Sequence, residues 1–180
     1  MLKSKVKYIQ SLSQKKHRDE EGAFIAEGPK IINELLGQQD ITVLEIYAVA
    51  SWIEKHALLL SFIHPSKIFP VSEDQLKKIS CLTTPNQVLA VLKKPFLEAR
   101  PELKGRITLM ADTIQDPGNM GAIIRSADWF GAAQLICSPE CADAFSPKTV
   151  QSTMGSIGRV SVFYMDLAAV IAAHPSVPFY

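Results

Sequence analysis

The stretch DTIQDPGNMGAIIRSADWFG, residues 112–131, joins an apolar segment that reads as a strand to a segment that reads as a helix. The apolar run ITLMA comes directly before it. Between strand and helix lies a polar loop that contains Asp112, Asp116 and Asn119 around a Pro-Gly turn. In an open α/β sheet, ligands bind beyond the carboxyl ends of the parallel strands. This loop is therefore the first candidate for a functional site.

The helix after the loop has two faces of different chemistry. The spacing of its apolar residues predicts one buried stripe made of Met120, Ile123, Ala127 and Phe130. Arg125 lies about 200° round the helix from Ile123, off that stripe, and Trp129 follows one turn later. Asn119 is predicted to cap the helix and Gly131 to end it. Arginine and tryptophan side by side suggest a partner or substrate surface, although an ordinary capped turn with an exposed arginine also explains these residues.

Strands and helices alternate along the whole chain, so the predicted fold class is α/β. RITLMAD, AQLICSP and RVSVFYM read as strands separated by helices, which predicts βαβ units and a parallel sheet. The near-continuous apolar run of RITLMAD predicts a strand buried on both faces. We predict a small α/β sandwich at residues 1–95, a linker at 96–105 and a second domain at 106–180. The C-terminal Pro-Phe-Tyr resembles the start of a further strand.

Basic residues concentrate at the N-terminus, although the net charge of +1 by itself predicts no partner. Residues 1–18 contain no Asp or Glu, and with the residues that follow they read as one basic amphipathic helix. Such an arm can follow a phosphate backbone, while a solvated terminal helix has the same composition. The predicted contacts of the arm with a nucleic-acid backbone are Lys3, Lys5, Lys7, Lys15, Lys16 and Arg18.

Several other classes of site lack their sequence patterns. The chain has neither GxGxxG nor GxxxxGK[ST], and its four histidines serve no nucleophile elbow. The spacing of its three cysteines does not match a zinc site, so we expect reduced thiols in a cytoplasmic protein. We predict no metal, although Asp112 and Asp116 leave a small-molecule enzyme with a divalent cation as a weak alternative. No signal peptide or membrane-spanning run is present.

Residues 112–131 resemble the first signature motif of the SpoU (TrmH-like) RNA 2′-O-ribose methyltransferases of the SPOUT superfamily. That motif has an Asp-Pro-x-Asn-x-Gly loop followed by an arginine and a helix of small residues that ends in glycine. SPKTVQSTMGSIGRVSV is similar to a downstream segment of the family. KKHRDEEGAFIAEGPKIINELL and TTPNQVLAVLKKP resemble parts of the N-terminal substrate-binding domain that many members carry.

The resemblance implies a ribosomal-protein-like RNA-binding domain, a catalytic domain with a C-terminal trefoil knot, and a homodimer. It implies methylation of a ribose 2′-hydroxyl in ribosomal or transfer RNA, with S-adenosylmethionine as the methyl donor. By their positions in the motif, Asn119 and Arg125 match the family's catalytic residues. A guanidinium that contacts phosphate and ribose can orient the hydroxyl and stabilise developing negative charge.

The family's second and third motifs, a Gly-x-Glu loop and a Ser-Leu-Asn run, are absent from residues 1–180. We therefore expect this chain to be a fragment that lacks the knot region. On this expectation, most of the cofactor pocket, and with it full activity, requires residues beyond Tyr180. A non-catalytic RNA-binding module is the alternative.

Overall fold

The computed structural model describes residues 2–95 and 101–180, and over these residues the fold is α/β, as predicted. The strands are β1 (Ala23–Glu27), β2 (Val43–Ala48), β3 (Ile68–Pro70), β4 (Val88–Lys93), β5 (Thr108–Ala111), β6 (Gln134–Cys137) and β7 (Ser161–Tyr164). The helices are α1 (Lys3–Ser11), α2 (Lys15–Glu21), α3 (Pro29–Leu36), α4 (Ala50–Lys55), α5 (Ala57–Leu60), α6 (Glu73–Ile79), α7 (Pro117–Trp129), α8 (Pro147–Thr153) and α9 (Leu167–Ala173). Short 3₁₀ turns lie at Pro65–Lys67 and Ser156–Gly158.

The first half is built on a four-stranded sheet in the order β1-β4-β2-β3. Strand β4 pairs antiparallel with both β1 and β2, and β2 pairs parallel with β3. All five residues of β1 are buried, because the sheet is covered on both faces. Alternate residues such as Ile25 and Val91 pack in one cluster with α1 and α6, while Phe24 and Ala90 pack on the other side.

The second half contains a three-stranded parallel sheet in the order β5-β6-β7. Strand β6 lies in the middle and is buried throughout. The prediction that the β5 segment is buried on both faces is wrong for three of its four residues, since only Ala111 is buried. Among the described residues β5 pairs only with β6, so its other edge is uncovered. The apolar sequence alone does not distinguish a central strand from such an edge strand.

One continuous apolar cluster joins the two halves. It includes Phe24, Ile32 and Leu92 from the first half and Ile124, Leu135 and Val150 from the second. The rings of Phe24 and Phe145 meet across this boundary, with centroids 5.0 Å apart. The domain boundaries proposed from the sequence stay a prediction, and residues 96–100 of the proposed linker lie outside the described residues. Leu103, at its end, is buried against Ile136 and Val170.

The N-terminal arm is two helices and not the single helix that its composition suggested. Helix α1 ends at Ser11, and Leu12, which follows it, is completely buried. Helix α2 begins at Lys15 and ends at Glu21, and the next residue, Gly22, has φ +57°. The chain turns between the helices because Ile9 and Leu12 pack against the sheet of the first half.

Helices α7 and α8 pack closely because of a glycine. A Cβ at Gly121 would lie 2.4 Å from the Cβ of Ser152 and 2.7 Å from the carbonyl oxygen of Thr149. Such distances leave no room for a side chain of any size at this position. Gly121 therefore sets the distance between the two helices.

We expect Gly121→Ala to lower the free energy of unfolding by about 1–3 kcal/mol, because the added methyl overpacks the α7–α8 contact. Helix propensity alone predicts the opposite, a gain of about 1 kcal/mol for Gly to Ala. Urea unfolding measures which effect is larger. Ser126→Ala, on the exposed face of the same helix, is the control and should be neutral or slightly stabilising. A more stable Gly121→Ala variant would contradict the close packing.

Candidate active site on helix α7

The polar loop after β5 is held in place by the loop after β6. Thr113, with φ +54°, donates its backbone N–H to Ser138 Oγ at 2.9 Å. The N–H of Ile114 points to Cys141 Sγ at 3.3 Å, and its carbonyl accepts the N–H of Ala142 at 2.7 Å. Burial raises the pKa of the neighbouring Cys137 thiol to about 12. Both cysteines are free and buried, and Cys141 fixes the loop that leads into α7.

Asp116, and not Asn119 as predicted, caps helix α7. Its Oδ1 accepts the backbone N–H of Asn119 at 2.8 Å, while Oδ2 lies 3.3 Å from Lys148 Nζ. The hydrogen bond from Asn119, followed by that from Lys148, lowers the pKa of the Asp116 carboxyl. Aspartate is as good a cap as asparagine, and Pro117 then occupies the first helical position. The side chain of Asn119, in the first turn, faces solvent.

The buried stripe of α7 differs in part from the prediction. Met120 and Ala127 are buried as expected, but Ile124 takes the place of the half-buried Ile123. Phe130 is 77% exposed. It lies at the helix end, where Gly131 has φ +75° and the N–H of Ala132 reaches back to the Ala127 carbonyl at 2.8 Å. This left-handed ending turns the chain before Phe130 can reach the core.

The exposed face of α7 carries both residues that the motif singles out. Asn119 and Arg125 are exposed, six residues and therefore about 9 Å apart along the helix axis. No ion pair among the described residues includes Arg125. Trp129, one turn beyond it, is 82% exposed. The structure thus places an amide, a guanidinium and an indole on the exposed side of the helix, and the helical periodicity suggested this for the guanidinium and the indole.

A cavity of about 350 Å³ lies where the three parallel strands end. Its lining residues come from the loops after β5, β6 and β7: Asp112, Ser138, Pro139, Glu140, Asp166, Leu167 and Ala168. Sequence reasoning identified Asp112. Asp166 caps α9, where its Oδ1 accepts the backbone N–H of Ala169 at 3.1 Å. Ser138 and Glu140 were missed. Their position directly after a strand of a parallel sheet is the signal that could have found them.

Several basic side chains of the N-terminal arm form ion pairs with carboxylates of the protein itself. Lys5 pairs with Glu45 of β2, Lys15 with Asp19, and Lys16 with Glu20. No ion pair among the described residues includes Lys3 or Lys7, which are both exposed. Exposed pairs are worth little in free energy, so Lys15 and Lys16 can exchange their carboxylates for phosphates. The arm therefore keeps a basic surface, but a weaker one.

The structure corrects the expectation that Arg18 contacts RNA. Its side chain is 2% exposed and lies against Asp143, with an Nη2–Oδ2 distance of 2.5 Å. Its Nη1 donates to the carbonyls of Leu12 and Ser13 at 2.9 and 2.7 Å. A guanidinium with these partners has no free face for a phosphate. Arg18 instead joins the α1–α2 turn to the loop after β6.

The described residues, 2–95 and 101–180, contain no group of three or more His, Cys, Asp or Glu side chains that could hold a metal ion. Asp112 and Asp116 therefore gain no third ligand there. None of the helices in these ranges is both long enough and apolar enough to cross a bilayer.

Residues 3–90 match the MRM3-like substrate binding domain, and residues 106–177 match the SpoU rRNA Methylase family. The chain is 29% identical over 171 residues to the Bacillus subtilis 23S rRNA (guanosine(2553)-2′-O)-methyltransferase RlmP, covering 93% of this chain and 64% of that protein. A solved rRNA methyltransferase from Sinorhizobium meliloti is 30% identical with a TM-score of 0.77, covering 97% of this chain and 67% of that one.

A solved protein from Porphyromonas gingivalis, assigned to the TrmH family of RNA methyltransferases, is 34% identical with a TM-score of 0.80, covering 97% of this chain and 66% of that one. The present chain thus spans about two thirds of the length of these relatives. The motif on α7, the arrangement of both sheets and these matches agree. The chain belongs to the SpoU rRNA methylase family.

Proposed function

We propose that this protein transfers a methyl group from S-adenosylmethionine to a ribose 2′-hydroxyl of an RNA, with ribosomal RNA as the favoured substrate. The observation that carries the proposal is the exposed face of α7, where Asn119 and Arg125 lie beyond the carboxyl end of β5. Two relatives support it by name: RlmP is a 23S rRNA 2′-O-methyltransferase, and the Sinorhizobium meliloti enzyme was solved with AdoMet bound.

The residues on α7 suit the acceptor side of this reaction. A ribose 2′-hydroxyl attacks only when it is oriented and its proton is drawn away. The planar guanidinium of Arg125 can bind a phosphate oxygen with two parallel hydrogen bonds and still stabilise charge that develops on the hydroxyl oxygen. The amide of Asn119 can both donate and accept, which suits it to hold the ribose.

The described residues do not by themselves fit the whole methyl donor. The cavity at the strand ends is lined by Asp112, Glu140 and Asp166 and by no cation. These carboxylates can attract the donor's ammonium and sulfonium, but nothing in the lining pairs with its carboxylate. A larger hollow of about 930 Å³ runs along the free edge of β5. An uncovered strand edge presents unpaired backbone groups, which distinguishes it from a preformed cofactor cleft. The choice of S-adenosylmethionine as the methyl donor therefore rests on the relatives.

The test is methyl transfer by the whole protein that carries this chain, from radiolabelled S-adenosylmethionine to transcribed ribosomal RNA, followed by alkaline hydrolysis. A 2′-O-methyl group blocks cleavage at its own phosphodiester, so the label should appear in an alkali-resistant dinucleotide. Label in single nucleotides would mean base methylation and would refute the ribose assignment. RNA binding without any transfer would favour the alternative of a non-catalytic RNA-binding module.

We propose that the basic arm contributes to RNA binding through Lys3 and Lys7. Replacing both with alanine should reduce the slope of log K against log salt by about 0.7 for each lost contact with single-stranded RNA. Fluorescence anisotropy over a salt series measures the slope. Lys55→Ala, at an exposed position on α4, is the control. An unchanged slope in the double variant would show that the arm is only a solvated helix.

We also propose that the C-terminal end of α7, at Trp129 and Phe130, is covered in a homodimer, while Asn119 and Arg125 stay open to RNA. Trp129 and Phe130 are 82% and 77% exposed and adjacent, and aromatic residues are enriched in the buried centres of interfaces. Sedimentation velocity would show the mass of one chain if this is wrong.

We further propose a cytoplasmic location, where the protein would encounter ribosomal RNA and where free thiols such as Cys81, Cys137 and Cys141 stay reduced.

A further inference from the structure

Arg159 binds the end of α7 through Asp128. Its Nε lies 3.0 Å from each carboxylate oxygen of Asp128, and its Nη2 lies 2.7 Å from Oδ2. Ser156 Oγ donates to the same carboxylate at 2.7 Å. The hydrogen bonds from Arg159, and then that from Ser156, lower the pKa of Asp128. Asp128 lies three residues after Arg125, so this contact fixes the helix close to the candidate site.

The same guanidinium also reaches the first half of the chain. Arg159 Nη1 donates to Glu34 Oε1 at 2.6 Å, and Glu34 belongs to α3. One arginine therefore links α3 to α7 by hydrogen bonds at both sides of its planar fork. Lysine, which carries its charge at one point, cannot reproduce this geometry.

The turn that carries Arg159 is built for close contact with α3. A Cβ at Gly155 would lie 2.4 Å from Glu34 Cγ, and a Cβ at Gly158 would lie 1.9 Å from Gln38 Oε1. Gln38 Nε2 also donates to the Gly155 carbonyl at 3.1 Å. At Gly155, whose φ is +98°, only glycine lets α3 approach this closely, whereas the flexible end of Gln38 could move away from a side chain at position 158. The contact therefore combines an ion pair between the 39%-exposed Arg159 and the 48%-exposed Glu34 with close packing at Gly155.

We propose that Arg159 is a positioning residue, which fixes the C-terminal part of α7 to α3 and thereby holds Arg125 in a set orientation relative to the first half. The proposal rests on the proposed function, since it assumes that Arg125 acts on RNA bound partly by the first half. It assigns a catalytic consequence to α3, which has no residue in the candidate site. A misplacement of about 1 Å can cost a factor of about 100 in rate.

The experiment combines hydrogen exchange with kinetics on Arg159→Ala and Glu34→Ala. The amides of Phe130, Gly131 and Ala132 bond to carbonyls within α7, and we expect them to exchange at least tenfold faster in both variants. We expect kcat for methyl transfer to fall at least tenfold while KM for RNA stays unchanged. Melting of each variant confirms that it is folded.

Matched controls are Arg106→Ala, whose arginine pairs with Glu102, and Glu54→Ala, an exposed acid on α4. Both should leave exchange in α7 and kcat unchanged. Glu34→Ala is the sharper variant because, within the described ranges, the Glu34 carboxylate forms a hydrogen bond only with Arg159 and none with α7 itself. If Arg159→Ala lowers kcat and Glu34→Ala does not, Arg159 acts only inside the second half and the proposal is overturned.

The two proposals can fail separately. If the wild-type protein transfers no methyl group, the proposed function fails, while the exchange rates still show whether Arg159 and Glu34 restrain α7. If exchange accelerates but kcat is unchanged, the restraint exists and its catalytic role is refuted. Unchanged exchange in both variants overturns the restraint itself.

Discussion

We expect Arg125→Ala to lower methyl transfer to RNA by a factor of about 100 or more and to leave the melting temperature near the wild-type value. An oriented charge that acts in a transition state is worth about this much. Arg125 is exposed on α7, and exposed substitutions usually change stability by no more than about 0.5 kcal/mol. The two measurements are thermal melting and methyl transfer on the same preparations.

Arg125→Lys should recover little of the lost transfer, because a point charge cannot replace the planar fork. Ser126→Ala, the next residue on the exposed surface, is the matched control and should keep its activity. Near-normal transfer by Arg125→Ala would refute the catalytic role. A large fall in its melting temperature would instead make Arg125 structural, as a dimer contact beside Trp129.

Arg18→Ala is expected to lower the free energy of unfolding by about 3–5 kcal/mol, the usual cost of removing one partner from a buried ion pair. The substitution leaves the 11%-exposed Asp143 side chain without its cation. It also leaves the carbonyls of Leu12 and Ser13 without their donor. Chemical unfolding followed by circular dichroism measures the change.

Lys16→Ala is the control for Arg18→Ala, since Lys16 lies two residues earlier in the same helix and is 78% exposed. It should change stability by no more than about 0.5 kcal/mol. At temperatures where the Arg18→Ala variant is folded, its RNA binding should keep the wild-type salt dependence. A stable Arg18→Ala variant with a reduced salt slope would restore Arg18 to the RNA-binding surface. The double variant Arg18→Ala/Asp143→Ala should be less destabilised than the sum of the single changes.

The local signals in the sequence were sufficient for most elements. Ser72 forms a capping box with Gln75 at the start of α6, and Asp166 caps α9. Pro29 occupies the first position of α3. Such signals act between residues three or four positions apart, so the local sequence is enough to predict them. The alternation of strands and helices likewise gave the α/β fold class, and the motif on α7 gave the family.

The tertiary structure decided what depends on contacts between distant segments. Arg18 and Asp143 are 125 residues apart, as are Arg159 and Glu34. No local pattern shows that one arginine of a basic arm is buried. Nor does any local pattern show that Gly155 packs against Glu34 of α3 and Gly158 against Gln38. The burial of β5 also depends on which strands lie beside it. Helix and strand propensity, helix capping and apolar periodicity depend on neighbouring residues, so they can be predicted from the sequence. Desolvation and charge pairing depend on which surfaces the fold brings together.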